Sequence, residues 1–143
     1  MIMKRYSAVI WQDNLAILRQ KVEKIALSKY REKQDPFSAL LYYVIIGKKN
    51  VVAMLFKKSL DQRVEYKNTF EFLMKDFTQD RWRSAASKNA YALISKKRYE
   101  AAAAFFFLGG HFLDAVNVMT VYMEDIQLAL LTARLSGSQE AMK

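Results

Sequence analysis

The sequence predicts an all-α fold of stacked antiparallel αα-hairpins, a fragment of an α-solenoid with about eight helices. Apolar residues recur at helical spacings of three and four along most of the chain. One proline and four glycines are too few turn residues for a fold of many short strands. The connections between apolar segments are short, which makes successive helices antiparallel neighbours. With 143 residues, 52% of them apolar, the chain is long enough for one domain with a sizeable core.

An apolar stripe and a proline boundary define the first two helices. The stripe of the first helix, which ends near Lys33, consists of Trp11, Leu15, Leu18, Val22 and Ile25. Asp35 is expected to cap the second helix, because Pro36 after it suits a first helical turn. Gly47 is expected to end that helix.

The middle of the chain predicts three more helices. A short third helix contains Val51–Phe56, and a fourth begins at Asp61. The residues expected to be buried along the fourth are Val64, Phe70, Phe77 and either Phe72 or Leu73. Asp80 is expected to cap a fifth helix, which Trp82 anchors in the neighbouring groove. Asn89, at the border of the apolar stripe of that helix, is expected to bond a helix end across the layer.

The sixth helix differs from the others because Ala101–Leu108 is apolar on every side, which predicts a helix covered by several neighbours. Ala103 and Ala104 are expected at close helix contacts. Gly109 and Gly110 are expected to end it.

A seventh helix starts at Phe112, and the eighth, Ile126–Leu135, has apolar residues on two faces. This pattern predicts a further layer or a partner beyond the eighth helix. We expect residues 1–135 to form a single helical domain and Ser136–Lys143 to be a frayed polar tail.

The composition gives little basis for catalysis. The absence of Cys removes thiolate nucleophiles, and a single histidine, His111, makes a zinc site improbable. His111 follows a helix stop and is expected to satisfy helix-end carbonyl groups. The sequence therefore predicts neither an enzyme nor a cofactor or metal site. The longest apolar runs fall short of the roughly 20 residues of a membrane span, which favours a soluble, cytoplasmic chain.

Positive charge is the strongest indication of a binding surface. The net charge is +9, and 21 of the 23 basic residues lie within residues 1–98. Three basic clusters are candidates for partner contact: Lys48 and Lys49; Lys57 and Lys58; and Lys96, Lys97 and Arg98. Arranged along one edge they would attract an acidic protein surface, although cations at helix ends also arise simply because they complement the helix dipole. The less favoured alternative is a basic helical subunit that binds nucleic acid, since no nucleic-acid-binding motif is present.

Several short segments resemble the C-terminal helical region of the rabconnectin/DMX-like family, whose fungal member is the large subunit of the RAVE complex. The segments that carry the resemblance are Arg81–Trp82–Arg83, Lys88–Asn89–Ala90, Lys97–Arg98–Tyr99–Glu100, Ala103–Ala104–Phe105–Phe106, Asp114–Ala115–Val116 and Gln127–Leu128–Ala129. Further matches upstream are Asp35–Pro36, Gly47–Lys48–Lys49 and Asp76–Phe77. The resemblance covers roughly residues 14–135.

The resemblance implies a function that composition alone does not. Members of this family promote reassembly of the vacuolar proton-pumping ATPase, so the implied role is a scaffold or adaptor without catalytic residues. The implied partners are other RAVE-type subunits and the peripheral sector of the ATPase, and the implied location is at the periphery of endomembranes. The large family members carry β-propellers, for which this chain has no counterpart, so it is expected to be a domain or portion of a longer protein or a divergent relative.

Overall fold

The computed structural model describes residues 7–141 and, within them, the side chains of residues 14–137. The described residues form eight helices and no strand, which confirms the all-α prediction. The helices are α1 (Ser7–Lys33), α2 (Phe37–Ile45), α3 (Lys49–Lys57), α4 (Val64–Leu73), α5 (Asp80–Ser95), α6 (Tyr99–Leu108), α7 (Phe112–Val121) and α8 (Ile126–Ala141).

Four hairpins are stacked around a central pair of helices. The hairpins are α1–α2, α3–α4, α5–α6 and α7–α8, and the central pair is α2 and α6, which pack against each other. Six of the nine residues of α2 and seven of the ten residues of α6 are buried. A helix buried on most sides must be apolar on most sides, which is the pattern that both segments carry. The core of the molecule therefore lies along the α2–α6 contact.

Small side chains allow α6 to approach its neighbours closely. Ala103 and Ala104 are completely buried. Larger side chains fill the space beside them, and Phe56 and Phe106 are almost inaccessible to solvent. Burial of one such side chain stabilises the fold by about 1.5–3 kcal/mol.

The connections between helices lie at two opposite ends of the stack because successive packed helices alternate in direction. At one end, which we call the Asp35 end, the Tyr66 hydroxyl donates a hydrogen bond to Oδ1 of Asp35 at 3.0 Å. At the other end, the Gly47 end, Nζ of Lys49 donates to the carbonyl oxygen of Lys75 at 3.1 Å. The Tyr66–Asp35 hydrogen bond thus joins two different hairpins, and the Lys49–Lys75 hydrogen bond joins the two ends of the α3–α4 hairpin.

Several helix boundaries agree with the prediction. Oδ1 of Asp35 accepts a hydrogen bond from the backbone N–H of Phe37 at 3.0 Å, so Asp35 does satisfy a free donor at the start of α2. Gly47 and Gly110 follow their helices with φ values of 79° and 78°, a conformation that favours glycine.

Other boundaries were predicted wrongly. The fourth helix begins at Val64 rather than Asp61, and Val64 is 77% exposed. Leu73, one of the two predicted alternatives, is buried, and so is Tyr66, which the prediction did not include. On the first helix, Leu15 and Val22 of the predicted stripe are buried, but Ala26 takes the place of Ile25, which is 43% exposed.

The polar residues around α5 and α8 also differ from expectation. Asp80 makes no capping hydrogen bond. In the preceding loop, Oδ1 of Asp76 instead accepts hydrogen bonds from the N–H of Thr78 at 3.0 Å and from its hydroxyl at 2.6 Å. The last helix continues to Ala141, so the segment expected to fray from Ser136 is helical as far as that residue. Trp11 lies outside the described side chains.

Candidate functional site

A cleft separates α4 from α5. These two helices follow each other in the chain, yet α4 packs mainly on α3 and α5 on α6. The space left between them has a volume of about 220 Å³. It is the feature of the described surface that brings apolar rings, free amides and positive charge together.

Three aromatic rings contributed by three helices form the floor of the cleft. Phe37 begins α2, Phe72 lies on α4 and Phe105 lies on α6. The ring centroids of Phe72 and Phe105 are 5.2 Å apart, a distance typical of packed aromatic pairs. The walls carry smaller and polar side chains, which are Asn68 and Thr69 from α4 and Asn89, Ala92 and Leu93 from α5.

An arginine closes the cleft at the Asp35 end. Nη1 of Arg98 donates a hydrogen bond to Oε2 of Glu65 at 2.7 Å and so joins the start of α6 to α4. The same guanidinium group lies 4.4 Å from the ring centroid of Phe37, within the range of a cation–π contact. Arg98 is therefore held by two elements and is not free to leave the cleft.

Glu65 remains ionised because two arginines face it. Burial raises the pKa of the Glu65 carboxyl, but the hydrogen bond from Arg98 and the charges of Arg98 and Arg63 outweigh burial and hold this pKa below its usual 4.5. Nη2 of Arg63 lies 3.1 Å from Oε2 of Glu65. The single carboxylate that lines the cleft is thus neutralised within the molecule.

A second cation contact lies at the other end of the cleft. Nζ of Lys75, just beyond α4, is 4.7 Å from the ring of Trp82 in the first turn of α5. The guanidinium of Arg81 lies 4.5 Å from the same ring. Trp82 is half-buried, so it joins the α4–α5 connection to α5 rather than filling a core position.

Two asparagines face the cleft from opposite walls. Asn68 and Asn89 are both exposed, and neither side-chain amide has a hydrogen-bond partner among the described residues. The expectation that Asn89 is a buried amide bonded to a helix end is therefore wrong. An amide both donates and accepts hydrogen bonds, so this pair can bind polar groups of a second molecule.

The three basic clusters do not form one edge. Lys48 and Lys49 lie at the Gly47 end, where Lys48 pairs with Glu23 at 2.6 Å and Lys49 lies 4.6 Å from the ring of Phe77. Lys57 and Lys58, together with Lys96, Lys97 and Arg98, lie at the opposite end. The fields of all three clusters therefore do not add along a single surface. From these clusters, only Lys96 and Arg98 line the cleft.

His111 and Asp114, which the sequence analysis also named, do not line the cleft. Nε2 of His111 lies 3.2 Å from the carbonyl oxygen of Arg83 in α5, so its contact is with a neighbouring helix rather than with the end of α6. Asp114 is exposed in the first turn of α7. Among the described residues, no three potential metal ligands cluster. None of the described helices is long and apolar enough to cross a membrane.

A second uncovered surface lies on the outside of the α7–α8 hairpin. Leu113 and Val121 of α7 and Ile126 and Leu130 of α8 are each more than half exposed. On α8 these residues lie opposite the buried positions Leu128, Thr132 and Leu135. The two-sided pattern expected for the eighth helix therefore corresponds to one packed face and one open face.

The fold and the cleft together define a class of protein. A stack of helical hairpins with open faces and a small aromatic cleft is typical of a helical interaction module. The chain belongs to the family described as RAVE protein 1 C terminal, whose model matches residues 2–142. This match confirms the resemblance found in the sequence.

Individual relatives support the same family. The chain is 40% identical over 129 residues to DmX-like protein 1 of Mus musculus and of Homo sapiens, a match that covers 90% of this chain and 4% of each relative. It is 34% identical over 134 residues to Regulator of V-ATPase in vacuolar membrane protein 1 of Saccharomyces cerevisiae, covering 92% of this chain and 10% of that protein. The chain therefore spans only a small part of the length of the curated relatives it matches.

Proposed function

We propose that this chain is a non-catalytic helical scaffold or adaptor module that acts in the assembly or reassembly of the vacuolar proton-pumping ATPase. The observation that carries the proposal is the family match over residues 2–142, together with a yeast relative named as a regulator of this ATPase. Its partners under this proposal are other RAVE-type subunits and the peripheral sector of the pump. Its place is the cytoplasm, at the periphery of endomembranes.

The surface of the chain supports a protein partner more than a nucleic acid. A nucleic-acid-binding protein uses a continuous positive stripe that follows the phosphate backbone. Here the basic clusters lie at opposite ends of the stack, and Lys48, Lys49 and Arg98 already make contacts within the molecule. The aromatic cleft and the apolar face of α7–α8 are instead surfaces of the kind that proteins bury against one another.

The test is to remove residues 14–135 from the protein at its own gene and to follow reassembly of the pump. The pump is dissociated, allowed to recover, and assayed for the peripheral sector that sediments with the membranes and for ATP-driven acidification. We expect both to fall while the amounts of the pump subunits stay unchanged. Reassembly at the normal rate and extent would exclude the proposed role.

A salt titration separates this function from the alternative. Binding to nucleic acid weakens steeply between about 50 and 200 mM salt, in proportion to the phosphates contacted. We expect the chain to retain no duplex or single-stranded probe at about 150 mM salt. Specific retention of such a probe at that salt would favour the nucleic-acid-binding alternative.

A further inference from the structure

We propose that the cleft between α4 and α5 is a docking site for a short acidic segment of a partner protein, which inserts one large apolar side chain between Phe37, Phe72 and Phe105. This inference rests on the proposed protein-binding function and adds the chemistry of the segment that is bound. It follows from the size of the cleft, the groups on its walls and its charge.

The size of the cleft fits one side chain. Its volume of about 220 Å³ is smaller than the roughly 300–1,000 Å³ of typical ligand pockets. Its floor is aromatic, with Phe105 almost fully buried and Phe37 and Phe72 half-buried. Protein interfaces draw most of their affinity from a few large side chains that enter such desolvated pockets. A tryptophan, phenylalanine or leucine of the partner would cover the three rings.

The walls of the cleft fit a peptide backbone. Asn68 and Asn89 stand on opposite sides of the floor, and neither amide is hydrogen-bonded within the described residues. Each amide offers a donor and an acceptor, the same pair of groups that every non-proline peptide unit presents. A segment that lies along the cleft would therefore find partners for its N–H and C=O groups on both walls.

The charge of the cleft favours an acidic occupant. Lys96 and Arg98 line it against one carboxylate, that of Glu65. Arg98 and Arg63 both bind that carboxylate, whereas Lys96 is exposed and has no partner among the described residues. Carboxylates that flank the apolar anchor would meet the free ammonium group of Lys96, which adds specificity and speeds association.

The test uses the intact chain labelled with ¹⁵N and a seven-residue peptide with a central tryptophan between three glutamates on each side. We expect the amide signals of α4 and α5, and the side-chain amides of Asn68 and Asn89, to shift on titration to millimolar peptide. Ala92→Trp, which fills the cleft from an exposed helical position, should weaken binding about tenfold or more. Ser84→Trp, exposed on the same helix outside the cleft, should bind as the unmodified chain does.

A second pair of variants tests the charge. Lys96→Glu should weaken binding severalfold, and Lys88→Glu, an equal charge change on the same helix, should have a smaller effect. Replacing the tryptophan of the peptide by alanine, or its glutamates by lysines, should abolish the shifts. Circular dichroism of each variant shows that its helices are intact.

Three results would overturn the proposal. They are the absence of shifts at millimolar peptide, equal binding of the lysine-flanked peptide, and full binding by the Ala92→Trp variant. If the peptide does not bind the cleft, the role in pump assembly is still tested separately by the deletion of residues 14–135. Conversely, normal reassembly after the deletion, combined with cleft binding of the acidic peptide, would refute that role and leave the cleft as a peptide site.

Discussion

Gly109 illustrates how a single residue is determined by space rather than by backbone conformation. Its φ of −79° is available to any amino acid. A Cβ atom at this position would lie 3.1 Å from the carbonyl oxygen of Arg83, 3.1 Å from Cβ of Ala86 and 2.9 Å from Cδ2 of His111. The close approach of the end of α6 to α5 therefore requires glycine.

We predict that Gly109→Ala lowers the free energy of unfolding by about 1–3 kcal/mol, because α5 and α6 must separate to admit the methyl group. The matched control is Gly137→Ala in α8, where an added Cβ has no neighbour within 4 Å. This control should be more stable than the unmodified chain by about 1 kcal/mol, since alanine is the better helix former. Urea unfolding followed by circular dichroism measures both, and an unchanged stability of Gly109→Ala would refute the packing argument.

The carboxyl group of Glu65 makes the stability of the fold depend on pH. Its pKa is lower in the folded chain than the usual 4.5, so its ionised form stabilises the fold above that pH. This contribution is lost as the pH falls below about 4.5 through the lower, folded-state value. The side chain is half exposed, so solvent screening limits the effect to less than about 1 kcal/mol.

We predict that Glu65→Gln is less stable than the unmodified chain at about pH 7 and that the difference shrinks toward about pH 3. Urea unfolding at the two pH values measures it. The control is Glu71→Gln on the same helix, whose carboxylate makes no ion pair among the described residues. A difference that grows at low pH would contradict the assignment of Arg98 as the partner that stabilises the carboxylate.

The central helix α6 has seven of its ten residues buried. It packs on α2, α5 and α7, and alanines line its closest contacts. We predict that Ala104→Leu lowers the free energy of unfolding by about 1–3 kcal/mol, because three added carbons must enter a filled core. Ala133→Leu, at an exposed position of α8, should change it by no more than about 0.5 kcal/mol. Thermal or urea unfolding of the pair tests the claim, and equal stabilities would contradict it.

The sequence predicts the buried elements well and the polar ones poorly. A segment such as Ala101–Leu108 is apolar on every side, and a helix of this kind is stable only when neighbours cover it, as at the centre of a helical stack. Asp80 has the sequence position of a cap, but it makes no capping hydrogen bond, and the path of the preceding loop lets Asp76 bond Thr78 instead. On α1, Leu15 and Val22 are buried as predicted, but neighbouring helices cover Ala26 rather than Ile25.

The cleft could not be predicted because it exists only where α4 and α5, although consecutive in the chain, do not pack closely on each other. Asn68 and Asn89 are 21 positions apart, and they face each other because α4 and α5 pack on other helices. Hydrophobic periodicity indicates which face of a helix is buried, but it does not indicate which helix will cover it. The three basic clusters, by contrast, lie at two opposite ends because they follow α2, α3 and α5, and successive helices alternate in direction.

At the scale of the whole molecule, the α7–α8 hairpin leaves four large apolar side chains exposed, which are Leu113, Val121, Ile126 and Leu130. Monomeric proteins rarely leave several neighbouring large apolar side chains in water. We predict that the double variant Ile126→Glu and Leu130→Glu reduces self-association of the isolated chain at high concentration, because it removes apolar area from the exposed face of α8. Sedimentation velocity over a concentration series measures the association.

The same double variant should affect association without affecting the stability of the fold. Both positions are exposed, so the free energy of unfolding should change by no more than about 0.5 kcal/mol per residue. The control Leu135→Glu, at a fully buried position of the same helix, should unfold the chain or destabilise it strongly. An association constant that is unchanged in the double variant would show that this face is not self-adhesive.

The α3–α4 hairpin is joined to the rest of the stack through α2, through the rings of Phe37, Phe56 and Tyr66, and through the Arg98–Glu65 ion pair. Because Phe37 of α2 contacts both Phe56 of α3 and Tyr66 of α4, it is a ring through which this hairpin is held to the central pair of helices.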